Sequence, residues 1–144
     1  TVRFTPVAQI RKKYRAAMLR IVEYLESQGV VVVLHSVVRH MEDGDRLDCD
    51  RGPGDLSDWR IAVQTSALSR VAAEIACERK LPFLDIRRGF DTLRNHGIGL
   101  DGVHPNAHRG GADRLDRAGL QCGYNVRNYL SLRQLRVLFE ALEG

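Results

Sequence analysis

Five consecutive apolar residues, Val30-Val31-Val32-Val33-Leu34, constrain what this chain can fold into more than any other feature. A β-branched run without polar alternation reads as a strand covered on both faces, the pattern of a parallel sheet lying between helices. The run follows directly on an amphipathic helix. From Val7 to Gln28 the residues Ile10, Tyr14, Met18, Ile21 and Leu25 recur at three- and four-residue steps. Gly29 then stands where a helix C-terminal cap is expected.

The alternation continues along the chain. Ser57 or Asp58 is a candidate N-cap for a second helix running to about Arg79, with Ile61, Leu68, Val71, Ala72 and Ile75 on its apolar face. Pro82 to Ile86 reads as a second short strand and Arg87 to Gly99 as a loop with room for one helical turn. A last amphipathic helix spans about Asn125 to Leu142, with Val126, Tyr129, Leu130, Leu135, Leu138 and Phe139 as its buried face. The order α-β-α-β-α implies right-handed crossovers and a parallel sheet. With 144 residues, 44% of them hydrophobic, the chain has material for a single α/β domain over 1–144. Two parallel strands, however, leave strand edges and apolar helix faces bare. The expectation is therefore the C-terminal part of a larger domain whose N-terminal strands are missing from this chain.

Basic residues exceed acidic ones by 22 to 18, but the excess is mostly scattered arginine, and Lys12, Lys13 and Lys80 are the only lysines. Arg11-Lys12-Lys13 with Arg15 lies on the first helix without interleaved aromatics, so it reads as a solvated face and no nucleic-acid partner is expected. The longest apolar run is far too short to span a membrane, and nothing has the form of a signal peptide. Cys49, Cys77 and Cys122 have no metal-binding spacing. Cys77 fits a helical pattern and is expected to pack as a small apolar residue. Cys49 and Cys122 fall in loops, either as free thiols or as a pair formed in an oxidising compartment. The compartment stays open, secretion and the periplasm included.

Chemistry gathers at the carboxyl ends of strands in an open parallel sheet. Three segments should lie on that edge: the long loop Val37 to Asp58 with its Gly52-Pro53-Gly54 turn, the segment Arg87 to His104, and the turn Leu100-Asp101-Gly102-Val103-His104-Pro105-Asn106. In a Ser-His-Asp triad the carboxylate accepts the imidazole Nδ1–H and fixes the tautomer, while Nε2 takes the serine proton. Asp101 and His104 suit those two roles, with Gly102 permitting the turn and Pro105 stiffening its exit. An Asp-x-x-His tetrapeptide alone is unspecific. Its position after the last strand and before the last helix gives it weight.

Asp101-Gly102-Val103-His104-Pro105 resembles the last sequence block of the SGNH hydrolases, the GDSL esterase/lipase family, which carries that family's catalytic Asp and His. Tyr14 to Leu34 resembles the helix and strand that follow the family's third block, and Ser69 to Asp85 the next helix and strand. The tail Gly119 to Asn128 is similar to a subset of these enzymes. The resemblance implies a three-layer α/β/α fold with a parallel sheet in a flavodoxin-like arrangement, and ester hydrolysis with carboxylic esters, including acylated carbohydrates or lipids, as substrates. It implies no metal and no organic cofactor. Asp101 would orient His104, and the three loops, with Asn106 to Leu120 as the third, would line the substrate pocket. The family's first block, with the nucleophilic serine, and the second and third, with oxyanion-hole glycine and asparagine, have no counterpart here. An upstream segment or a second chain would supply them, and the chain alone is expected to show little turnover.

Ser36 directly follows the valine strand but lacks a nucleophile elbow, so it is expected to bond local backbone. Ser57, Ser66, Ser69 and Ser131 look structural. His104 and His108 with Asp101 form a possible divalent-metal set for a metal-dependent hydrolase, against which Pro105 interrupts the helix needed to align the rings. His35, His40 and His96 show no ligand spacing. Gly110-Gly111 suits a turn or an anion-binding nest. Trp59 and Tyr124 are expected to pack against helices, and Asp85 to bond loop backbone. The reading from another class is a non-catalytic α/β module that binds a partner through the same edge.

Overall fold

The computed structural model describes residues 6–39, 63–99 and 102–143. The chain divides into two compact units that interleave in sequence. One comprises the described residues 6–37 and 63–84, the other 38–39, 85–99 and 102–143.

The first unit contains helix α1 (Val7–Ser27), strand β1 (Leu34–His35), helix α2 (Val63–Arg79) and strand β2 (Phe83–Leu84). Helix α1 stops where the sequence says it should. Gly29 takes a left-handed φ of 73°, its N–H reaches the Glu26 carbonyl at 3.0 Å, and the Val30 N–H reaches the Leu25 carbonyl at 3.0 Å. This paired closure satisfies carbonyls that the helix end would otherwise leave bare. Its buried stripe is shifted from the expected one: Val22 is fully buried and Tyr14, Met18, Leu19 and Leu25 pack beside it, whereas Ile21 is exposed.

β1 and β2 pair in parallel, with Leu34 opposite Phe83 and His35 opposite Leu84, so the alternating α/β order and the parallel sheet are both present. The Leu34 N–H bonds the Pro82 carbonyl at 3.0 Å and the Ser36 N–H the Leu84 carbonyl at 3.1 Å. The strands are shorter than the sequence implies. Burial alternates from the valine run into β1: Val32, Leu34 and Ser36 are buried, while Val31 and His35 are exposed and Val33 is half-buried. The valine run is thus covered on one face, not two. Among the described residues β2 is its sole strand neighbour, meeting only its last residues.

α2 closes the core with Val71, Ile75 and Ala76 against Val22, Val32 and Leu34. Full burial of a side chain such as Ile75 is worth roughly 1.5–3 kcal/mol. Cys77 lies one position past that stripe and is exposed as a free thiol, not packed as expected. Of the basic stretch on α1, Arg11 reaches Glu74 at 3.5 Å and Arg15 reaches Glu78 at 2.5 Å, so α2 neutralises part of it. Such exposed pairs contribute about 0–1 kcal/mol each. The candidate N-cap residues Ser57 and Asp58, together with Ile61, lie outside the described residues.

The larger part of the second unit begins at the end of β2. Asp85 accepts the Arg88 N–H at 3.1 Å and caps a short helix, α3 (Ile86–Phe90), the one helical turn the sequence left room for, which begins at Ile86 where strand was expected. This is the backbone role expected of Asp85. A 3-10 turn (Arg94–Gly97), a second one (Gly119–Gln121) and helix α4 (Gly123–Glu143) complete it. Ile86, Phe90, Ile98, Cys122 and Val126 are its buried apolar residues. Of the six residues expected on the buried face of α4, Val126 is buried and Leu130 and Leu138 are half-buried, but Tyr129, Leu135 and Phe139 are exposed. No helix among the described residues is long and apolar enough to cross a membrane.

Candidate functional site

The segment around His104 is a hairpin held by backbone bonds. Ile98 and Pro105 form an isolated antiparallel bridge; the Gly99 N–H bonds the His104 carbonyl at 2.8 Å, and the Asn106 N–H bonds the Gly97 carbonyl at 2.8 Å. At the turn the Gly102 N–H reaches the Gly99 carbonyl at 3.0 Å, and Gly102 takes a φ of 73°, a conformation costly for any residue with a Cβ. The sequence expectation for Gly102 is met. His104 is exposed beside this turn. Asp101 lies outside the described residues.

Behind the hairpin two glycines touch. A Cβ on Gly123 would collide with the Gly97 carbonyl, and one on Gly97 would lie 2.9 Å from the Gly123 Cα. The first turn of α4 can therefore lie directly on the hairpin backbone. Asn106 locks the contact. Its Oδ1 accepts the Gly123 N–H at 2.7 Å, and its carbonyl accepts the Tyr124 N–H at 2.9 Å.

Asn125 organises the loop that follows. It is fully buried, accepts the His108 N–H at 3.1 Å, and donates to the Gly111 and Arg114 carbonyls at 2.8 Å each. Asn128 adds a bond to the Ala112 carbonyl at 3.0 Å. None of the three asparagines stood out in the sequence. The available signal was amide side chains at 125 and 128 on a helix following a glycine-rich loop, a pattern that equally suits a solvent-facing helix turn.

Other candidates resolve structurally. The His108 Nδ1 accepts the Gly110 N–H at 2.9 Å, and its carbonyl accepts the Gly111 N–H at 2.9 Å, so both glycine amides are spent on a turn rather than aimed at an anion. Among the described residues no three His, Cys, Asp or Glu side chains come together as a metal site. Ser36 is 1% exposed, unlike a nucleophile displayed on an elbow. Tyr124 carries the Arg127 guanidinium 4.7 Å from its ring centre. A groove of about 320 Å³ between the 113–115 loop and α4 is lined by Asp113, Leu115, Asn128, Ser131 and Leu132. His104 is not among those residues. Trp59, His40, Cys49, Ser57 and most of the 37–58 loop lie outside the described residues. Cys122 is fully buried and disulfide-bonded.

A charged cluster that the sequence did not single out sits on α3 and the turn after it. Asp91 accepts from Arg39 Nε at 2.9 Å and from Arg39 Nη2, and its Oδ1 lies 3.8 Å from His96 Nδ1. Asn95 and His96 are held at φ 51° and 50°, a left-handed conformation that asparagine tolerates and that costs most other residues roughly 1–2 kcal/mol. Burial, then the nearby Arg39, pushes the His96 imidazole below its usual range, with Asp91 opposing and Arg87 adding to the push. Burial and Arg39 likewise lower Arg87 from its usual range. Comparison with models of known families, with characterised proteins and with solved structures finds no match.

Proposed function

We propose that this chain supplies the Asp101–His104 pair of an SGNH-type serine esterase acting on carboxylic esters. One observation carries the reading: the bridge-closed turn at Gly102 presents His104 on the surface, accessible to a hydroxyl that another segment would bring. In this reading His104 takes the serine proton and returns it to the leaving alcohol, and Asp101 fixes its tautomer. The three-layer α/β/α arrangement belongs to the same proposal. The parallel pairing of β1 with β2 and the exposure of His35 in β1, with Val31 exposed in the run leading into it, support it. An upstream segment or a second chain brings the serine and the oxyanion donors, and the Cys122 disulfide favours an oxidising compartment.

The test begins with the coding sequence upstream of Thr1. A Gly-Asp-Ser strand turn and a later Gly-x-Asn-Asp are expected there. In the protein that includes them, His104→Ala should lower ester turnover by about 10³-fold or more at unchanged stability. Ester hydrolysis that survives in that variant refutes the assignment. Absence of ester turnover in the parent protein would favour the alternative, a non-catalytic α/β binding module, and a metal-dependent hydrolase would lose activity to chelators.

A further inference from the structure

Three consecutive residues of the second unit, Asn95, His96 and Gly97, hold left-handed φ values of 51°, 50° and 67°. Such residues ordinarily occur singly, and a run that includes a histidine persists only where its surroundings over-determine it. The turn delivers the His96 side chain to Asp91. Its Nδ1 stops 3.8 Å from the Asp91 Oδ1, beyond hydrogen-bond reach, and is buried without a hydrogen-bond partner among the described residues. A polar nitrogen left in that state is costly unless a ligand or a water completes it.

The same oxygen of Asp91 already takes two bonds from Arg39, through Nε at 2.9 Å and through Nη2, while Arg39 Nη1 has no part in that pair. The Arg39 side chain is only 14% exposed. Arg87 lies one helical turn before Asp91, its carbonyl accepting the Asp91 N–H at 3.1 Å, and is itself half-buried. It stands close enough to Arg39 for the two charges to oppose each other. The other carboxylate that Arg87 feels, Asp85, is held at the N-cap of α3 by the Arg88 N–H. Two guanidinium groups and an imidazole therefore gather about Asp91, where an added anion relieves the like-charge pair.

The position in the chain agrees. Arg39 follows the last residue of β1 by four places, and Arg87 follows the last residue of β2 by three. Both segments leave the carboxyl ends of paired parallel strands, the edge at which ligands of α/β proteins collect. Planar guanidinium forks and a ring nitrogen match the oxygens of a phosphate or a carboxylate. We propose that Arg39, Arg87 and His96 form a binding site for a small-molecule oxyanion, with Asp91 holding Arg39 in place. Protonated His96 donates from Nδ1 to the anion, so binding tightens as pH falls; Asp91 favours that protonation, and Arg39 and Arg87 oppose it.

The inference stands apart from the esterase reading and is tested without an activity assay. The probes are inorganic phosphate and sodium acetate, each titrated into the full chain against sodium chloride of equal ionic strength while the His96 ring resonances are followed by NMR. Saturable shifts at millimolar concentration are expected, from phosphate if the natural ligand carries a phosphate group and from acetate if it carries a carboxylate. In an acetate titration, where the charge of the probe is constant, affinity should rise several-fold from about pH 8 to about pH 6. Arg39→Gln should weaken binding by about tenfold or more, and Arg39→Lys by less. Arg87→Gln leaves the Arg39–Asp91 pair in place, so it should keep the circular dichroism of the parent and weaken binding as well. Shifts that chloride reproduces, or that saturate with neither anion, overturn the proposal. Binding that Arg87→Gln and Arg39→Lys both retain at parental strength overturns it too.

Discussion

Ile75 and Asn125 are both fully buried, and they mark two different ways of holding a unit together. Around Ile75, α1, α2 and the parallel pair meet through aliphatic side chains, and the polar links between the helices are exposed ion pairs of small value. Around Asn125, loop and helix meet through amide side chains bonded to backbone and through two glycines in direct contact. Aliphatic packing is non-directional and tolerates a change of shape. Amide-to-backbone bonding is directional, and removing one partner leaves others buried and unsatisfied. The candidate base His104 is carried by the second kind of unit, where position matters more than bulk.

The sharpest way to break the contrast is Gly123→Ala. Its methyl would meet the Gly97 carbonyl, which is backbone and cannot swing aside, so we expect a loss of about 3 kcal/mol or more in urea unfolding. Amide exchange should quicken over 97–126 and change little over 71–76. Equal loosening in both places would mean the units do not differ as described.

A smaller effect compares the two buried residues directly. Ile75→Val should cost about 1 kcal/mol. Asn125→Leu, of similar volume and more apolar, should cost at least ~2 kcal/mol because it strands the His108 amide and the Gly111 and Arg114 carbonyls. If the leucine is tolerated as well as the valine, the amide ladder is not what holds the loop.

The smallest effect is in pH. Because the folded state lowers the His96 pKa, the unfolded chain binds the proton more readily. Stability should therefore be unaffected above about pH 6.5 and should fall as pH drops below that value toward the folded pKa. His96→Gln should flatten this part of the profile in unfolding experiments run between neutral and mildly acidic pH. A profile identical to that of the parent would locate the acid sensitivity elsewhere.

Long periodic elements were legible from residues alone. The helix closing at Gly29, the strand following it and the last helix all appear, because repeated apolar spacing and a cap glycine act locally. What was misread depends on neighbours distant in sequence. The run Val30 to Leu34 looks like a strand covered on both faces, yet only its end pairs, and Val31 and His35 are exposed opposite buried Val32 and Leu34. Ile86 continues an apolar pattern, yet the Asp85 carboxylate one residue earlier turns it into helix. Leu135 and Phe139 fit the amphipathic period of α4 without facing the core. At the site, Gly102 was legible because a turn demands it, whereas Asn106 and Asn125 were not, since the residue type does not reveal whether an amide faces backbone or water.

The interleaving of the units bears on the order in which they form. The bond between Arg79 and Glu26 closes a separation of 53 residues, and that between Gly123 and Asn106 a separation of 17. Loop-closure entropy makes the longer closure costlier by about 1 kcal/mol. Contacts near in sequence are met early in a conformational search, so the hairpin and the head of α4 should gather before α2 finds α1. Pulse-labelled exchange during refolding should protect the amide of Val126 ahead of that of Ile75; the reverse order would place the nucleus in the aliphatic core.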